Sequence, residues 1–167
     1  MGCSIARELS RYQLTCAVVE RSADVSMGTT TANSAIVHAG YDAKPGTVKA
    51  AMNIAGNPMF ASLSAEPDFP FRRIGSLILC FDEKSRPELD KLLERGRANG
   101  VPGLEILDRK RLEEMEPHIG PKAVAALYAP TGGIVCPYEM TIALAENAAV
   151  NGVDFLLGQE VKDIVKE

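Results

Sequence analysis

No apolar run approaching the length of about 18 residues needed to span a bilayer occurs in this 167-residue sequence. The N-terminus also lacks a basic stretch followed by an apolar one, the pattern of a secretory leader, so a cytoplasmic setting is the default expectation. There is no block of lysine and arginine, and 18 basic against 22 acidic residues leave a net charge of −4. Without a basic face, nucleic acid is not expected as a partner. The four cysteines, Cys3, Cys16, Cys80 and Cys136, are scattered. No Cys-x-x-Cys pair suggests zinc or an iron–sulfur cluster, and they read as reduced, buried thiols. A Ser/His/Asp constellation, a carboxylate pair set for glycoside chemistry and a metal-ligand cluster are all missing, and no repeat or low-complexity tract is present. What remains is 46% apolar and 24% charged, an ordinary globular composition with enough chain for one domain with a real core.

The stretch Arg21 to Tyr41 organises the reading. Met1 to Tyr12 carries Ile5, Ala6 and Leu9 at helical spacing, with Arg7, Glu8 and Arg11 on the other face. Leu14 to Glu20 then reads as a strand ending on an acid. Helix followed by strand is the second half of a βαβ unit. Gly2 fits the third glycine of a Gly-x-Gly-x-x-Gly turn, where the missing side chain allows close helix–strand packing. Glu20 stands about where a ribose-binding acid belongs. The alternative is a start residue and a solvated strand end. After Glu20 and Arg21 come Ser26, Gly28, Thr29, Thr30, Thr31, Asn33 and Ser34, too polar for a core and too rich in β-branched threonine for a flexible linker. Such a loop can offer backbone N–H groups and hydroxyls to a phosphate; a plain Ser/Thr-rich surface loop is the competing reading. Ala35 to Val37 is a short apolar run that leads into His38, Ala39 and Gly40, small enough to admit a flat ring.

Further on, Thr47 to Ser64 fits a helix with Val48, Ala51, Met52, Ile54, Ala55, Met59 and Phe60 on the core side, interrupted or kinked at Gly56 and Pro58. Phe71 to Phe81 reads as one strong strand with Gly75 as a bulge or close approach. Arg72 and Arg73 at its entrance either bind a substrate anion or are solvated. Ser85 to Asn99 is a charged helix capped by Ser85 and stopped by Gly100. Leu104 to Leu107 is a strand, and Asp108 caps a helix that Pro117 ends. Ala123 to Ala129 is a strand, Pro130 to Pro137 a glycine turn with an extended exit, and Tyr138 to Asn151 a helix burying Ile142, Leu144, Ala145 and Ala148. Gly152 stops that helix, and Val153 to Leu157 and Glu160 to Val165 close the chain as strands.

The run ERSADVSMGTTTANSAIVHAGYDAKPGT resembles the flavin-binding stretch of FAD-dependent oxidoreductases of the D-amino acid oxidase-like superfamily. Within it the similarity is to the branch of glycerol-3-phosphate dehydrogenase and L-2-hydroxyglutarate oxidase. Asn33-Ser34, His38-Ala39-Gly40 and Lys44-Pro45-Gly46 are the specific part, and Ala35 stands where many relatives have glycine. The resemblance implies an α/β fold: a partial Rossmann-like FAD-binding domain with part of an α+β substrate domain. It implies FAD-domain residues at 1–66 and 119–167, with a substrate-domain portion at 67–118. As cofactor contacts it implies Gly2, Glu20, Arg21, Gly28, Thr29, Thr30, Asn33, Ser34, Ala35, His38 and Gly40, with Val161 set against the adenine. Measured against the family, the first strand, two glycines and the C-terminal half are missing, so a fragment that binds FAD weakly or not at all by itself is expected.

The implied reaction takes hydride from a hydroxyl-bearing carbon to the flavin while a base removes the hydroxyl proton. His38 suits that base, since imidazole exchanges protons near neutral pH, or it packs on the flavin ring. Tyr41 would donate to a substrate oxygen, and His118 is read as a surface residue. The stretch Ala126 to Val153 leans toward the glycerol-3-phosphate dehydrogenases, with an L-2-hydroxyglutarate oxidase or a noncatalytic fragment as alternatives. The electron acceptor is not encoded in these residues.

Overall fold

The computed structural model describes residues 1–165. Its elements, in order, are α1 (Gly2–Leu9), β1 (Cys16–Glu20), a single 3-10 turn at Thr29–Thr31, β2 (Ile36–Val37), α2 (Val48–Ala65), β3 (Phe71–Arg72) and β4 (Ser76–Cys80). There follow α3 (Arg86–Ala98), β5 (Glu105–Asp108), α4 (Arg109–Met115), β6 (Ala125–Ala129), β7 (Gly133–Val135), α5 (Pro137–Val150) and β8 (Val153–Leu157). The chain packs as two units: residues Met1–Ala35 and Ser62–Pro70 with Val135 onward, and Ile36–Ala61 with Phe71–Ile134.

In the first unit β1 and β8 pair in parallel, from Cys16 opposite Val153 to Glu20 opposite Leu157. Each strand is preceded by its own helix, the arrangement a parallel pair requires because the return path must cross a sheet face. Ala6 and Ala148 are buried with Val153, and Cys3 with Leu144 and Ala145. These small side chains let α1, α5 and the strands approach. Gly2 is not what permits this: a Cβ there would meet no atom within 4 Å. Arg7, only 8% exposed, is paired with Glu66 and Glu8, so its charge is not buried alone.

The second unit is built on the antiparallel sheet β4-β6-β5. Leu127 lies opposite both Ile78 and Ile106, and Leu107, Leu112 and Leu127 are fully buried. A separate sheet has the order β2-β7-β3. The single strand expected over Phe71 to Phe81 is therefore two, in different sheets, broken where Gly75 takes φ +75° against the Tyr128 ring. Gly133 permits a close approach of Phe71 and the Arg72 carbonyl, which a Cβ would meet at 2.7 and 2.9 Å.

Other expectations need correction. α2 runs unbroken through Gly56 and Pro58, and it buries Ala50 and Asn57 while Val48, Met52 and Met59 are exposed. Apolar residues occur around its whole circumference, so their spacing does not select a face. Ser85 makes no cap bond; instead its N–H and hydroxyl donate to Asp82. Ile142 is exposed while Leu144, Ala145 and Ala148 are buried. Glu160 to Val165 forms no strand, which is the expected state of a segment without a ladder partner. The Asp108 cap of α4 is present, accepting from the Arg111 N–H at 2.9 Å. Gly100 and Gly152 end α3 and α5 at φ +82° and +88°. His118 is exposed.

Candidate functional site

The residues singled out in the sequence fall on both units. In the first, Glu20 ends β1, and its carboxylate accepts from the Ser22 N–H at 2.8 Å. That bond, aided by the neighbouring Arg21, holds the carboxyl below its usual pKa.

Beyond it the loop is folded on itself. The Thr31 N–H and hydroxyl donate to the Gly28 carbonyl, and the Ala32 N–H to Thr29. The Asn33 carboxamide donates to Thr30 and Thr29 and accepts from the Ala35 N–H at 2.8 Å. The amides of Thr31, Ala32 and Ala35 are thus spent inside the loop, which restricts the row of free donors expected from the sequence. Gly28, Thr29, Asn33, Ser34 and Arg21 are exposed, and Thr30 is half-buried. Tyr138 on α5 reaches the Thr31 carbonyl at 3.5 Å, a contact the sequence did not suggest. Ala35 sits at φ +59°, in the left-handed region where glycine is at ease. Ser26 is also left-handed, and its Oγ is buried with no partner. An unspent hydroxyl amid hydroxyl-bearing neighbours fits a loop made to receive a polar group. Val161 is exposed and lies in no strand.

In the second unit, Val37 pairs with Gly133 and delivers the chain into His38, Ala39 and Gly40. Ala39 and Gly40 are buried, while His38 is exposed. Gly40 has φ +103°, and a Cβ there would stand 2.8 Å from Ile54 Cδ1. His38 and Tyr41 line one cavity of about 70 Å³, together with Asp42, Lys49 and Asn53. The Tyr41 phenol is raised above its usual pKa chiefly by burial; its bond to the Ser76 side chain works against this, and Asp42 adds to it.

Side chains from α2, α3 and the β3–β4 connection grip this segment. Asn57 donates to the His38 carbonyl at 3.0 Å and to Thr131 at 2.8 Å. Arg73 donates to Asn57 Oδ1 at 2.9 Å and to the Asn57 carbonyl at 3.2 Å, and lies over the Phe71 ring. Arg73 is exposed, as a solvated arginine would be, and these bonds add a structural role to it. Asn99 donates to the Gly40 and Ala43 carbonyls at 2.9 and 2.7 Å, and Arg95 to that of Asp42 at 3.1 Å. An asparagine among the mostly small and apolar residues of α2 was the one available sequence signal for Asn57, and Asn53 carries the same signal. Among the described residues no cluster of metal-ligating side chains occurs, and no helix is long and apolar enough to cross a membrane. All four cysteines are free, Cys3 and Cys80 buried and Cys16 and Cys136 half-buried.

Parallel strands each fed by a helix, with a hydroxyl-rich loop at the carboxyl end of the first, define the dinucleotide-binding α/β class. The family described as FAD dependent oxidoreductase (DAO) matches residues 1–167, and the chain belongs to it. It is 55% identical over 167 residues to a glycerol 3-phosphate dehydrogenase of Caloramator mitchellensis, covering all of this chain and 35% of that protein. It is 32% identical over 165 residues to a mitochondrial L-2-hydroxyglutarate dehydrogenase of Nematostella vectensis, covering 98% of this chain and 36% of that one. Among solved structures, dithionite-reduced L-α-glycerophosphate oxidase of Mycoplasma pneumoniae with FAD bound superposes with a TM-score of 0.92 at 31% identity. That match covers 99% of this chain and 44% of the oxidase. The chain therefore spans less than half the length of these relatives.

Proposed function

We propose that the protein is an FAD-dependent dehydrogenase that oxidises a hydroxyl-bearing carbon of a small anionic substrate, glycerol 3-phosphate in the first instance. The observation that carries this reading is the 55% identity to a glycerol 3-phosphate dehydrogenase, unbroken across the chain. In the first unit, Gly2, Glu20, Arg21, Gly28, Thr29, Thr30, Asn33, Ser34 and Ala35 would serve the nucleotide part of FAD, with Val161 toward the adenine. The buried, partnerless Ser26 hydroxyl suits that role. In the second unit, His38 and Gly40 would adjoin the ring. Residues 1–66 and 119–167 then serve the cofactor and 67–118 the substrate, a division by contact and not by packing unit.

The flavin, when bound, supplies the acceptor for a hydride. His38 then takes the hydroxyl proton on its imidazole or seats the ring, and Lys49 on the same cavity wall brings a cation suited to an anionic substrate. L-2-hydroxyglutarate is the second substrate reading, on the strength of the 32% identical dehydrogenase.

The test is spectroscopic and kinetic. FAD is added to the purified chain and its visible spectrum recorded, weak or absent uptake being expected of this stretch by itself; a protein carrying the chain at the full length of its relatives is then assayed with an artificial acceptor and glycerol 3-phosphate, L-2-hydroxyglutarate or glycine. Turnover of glycerol 3-phosphate above the other two is the expected result. Oxidation of glycine with both hydroxyl compounds inert would overturn the reading.

A further inference from the structure

We infer that Asn57, locked by Arg73, is a positioning residue that sets the backbone from which His38 is presented. This rests on the proposed role of His38 for its kinetic consequence but not for its geometry. Asn57 is 7% exposed, one of two buried polar or charged side chains among the described residues. Each hydrogen of its carboxamide has an acceptor, the carbonyls of His38 and Thr131, and its oxygen accepts from Arg73. The group is thus fully used, which fixes its rotamer and, through it, the plane of the His38–Ala39 peptide. Because that peptide is planar and trans, holding the His38 carbonyl also fixes the direction of the Ala39 N–H. His38 itself is exposed and makes no side-chain hydrogen bond among the described residues, so its placement is inherited from this backbone. Arg73 adds a second restraint by donating to the Thr131 carbonyl at 2.5 Å, the same oxygen that Asn57 holds.

Asn57→Asp keeps the size and the Arg73 partner but replaces both donors with an acceptor facing two carbonyls. Arg73→Gln, at an exposed position, removes the lock without emptying the core. Both are compared with the parent protein by ¹H–¹⁵N NMR of the Ala39 amide and the His38 imidazole, with and without added FAD. The expected result is displaced Ala39 and His38 resonances in Asn57→Asp and a smaller displacement in Arg73→Gln, with the fold retained by circular dichroism. Unchanged resonances in both variants would overturn the inference. In turnover assays of a protein carrying the chain at the full length of its relatives, Asn57→Asp is expected to lower kcat about 10- to 100-fold with KM within about 3-fold, and to add nothing on a His38→Ala background. If His38→Ala alone leaves kcat unchanged, the role given to His38 fails while the NMR result still decides the positioning claim. Additive losses in the double variant with displaced resonances absent overturn positioning itself.

Discussion

Gly96 sets two magnitudes against each other. It lies within α3, where replacing glycine with alanine adds about 1 kcal/mol of helix stability. A Cβ there, however, would stand 2.3 Å from Leu104 Cδ1, 2.9 Å from Tyr41 Cβ and 3.2 Å from Tyr41 Cα. The Leu104 tip can rotate, but it belongs to the buried cluster with Leu89 and Leu127. The Tyr41 backbone cannot withdraw alone, because its neighbours are tied by Asn99 and Arg95 to the same helix. Overpacking of this kind costs roughly 1–3 kcal/mol and here involves backbone, so the upper half applies and the net change is a loss of about 1–2 kcal/mol. The melting temperature should fall by roughly 3–6 °C for a chain of this size. Gly56→Ala is the internal control: in α2 a Cβ meets nothing within 4 Å, so the same substitution should stabilise by about 0.5–1 kcal/mol. Thermal and urea denaturation of both variants decide the matter. A Gly96→Ala protein as stable as the parent would refute the packing argument, and one stabilised as much as Gly56→Ala would show that propensity governs both helices.

Leu127→Ala, at a fully buried position in the central strand of β4-β6-β5, should lose about 2–5 kcal/mol in urea denaturation; a loss below 1 kcal/mol, far outside that range, would mean the site is not the core. Ala35→Gly should be neutral or stabilising by up to about 1 kcal/mol, because relief of the left-handed strain at φ +59° outweighs or matches glycine's entropy in the unfolded chain. Marked destabilisation on melting would contradict that φ. Tyr41, raised by burial above the ordinary tyrosine value of about 10, holds its proton in the folded state to higher pH than in the unfolded one. Its contribution to stability is therefore complete below pH of about 10 and is lost as pH rises from there through the folded value. Phenolate absorbance should show a late-ionising component that disappears in Tyr41→Phe.

Local chemistry made much of the chain legible. The α1–β1 and α5–β8 pairs follow from helical spacing, β-branched runs and Gly152, and Asp108 caps α4 as its position before the helix suggests. The motif Asn33-Ser34 and His38-Ala39-Gly40 was enough to point to the family to which the chain belongs. What failed was whatever depends on partners distant in sequence. The residues from Phe71 to Phe81 have strand character throughout, yet the chain changes sheet at Gly75, where a Cβ would meet Tyr128, a ring on β6. α2 is apolar on every side, so only the folded chain decides that Ala50 and Asn57 face inward. The bonds from Asn57 to His38 and Thr131 span 19 and 74 positions, and those from Asn99 to Gly40 and Ala43 span 59 and 56. No periodicity or cap pattern encodes contacts at such separations.

The segment from His38 to Ala43 shows why asparagine was the residue to look for. Four of its carbonyls, those of His38, Gly40, Asp42 and Ala43, accept from side chains. Two carboxamides supply three of these bonds, each bridging a pair of carbonyls. A neutral carboxamide carries two divergent donors on one planar group, so it can join two backbone stretches without bringing in a net charge that burial would penalise. Lysine would bring a charge, serine only one donor, and a carboxylate two acceptors where donors are needed. Gly40 can turn to φ +103° and keep its carbonyl on Asn99 only because no Cβ meets Ile54. The glycine and the two asparagines are therefore one device: glycine permits the turn, and the carboxamides determine which way its peptides face. The His38-Ala39-Gly40 motif is legible because it is contiguous, but the geometry that gives it meaning is set by residues on two helices that no contiguous motif contains.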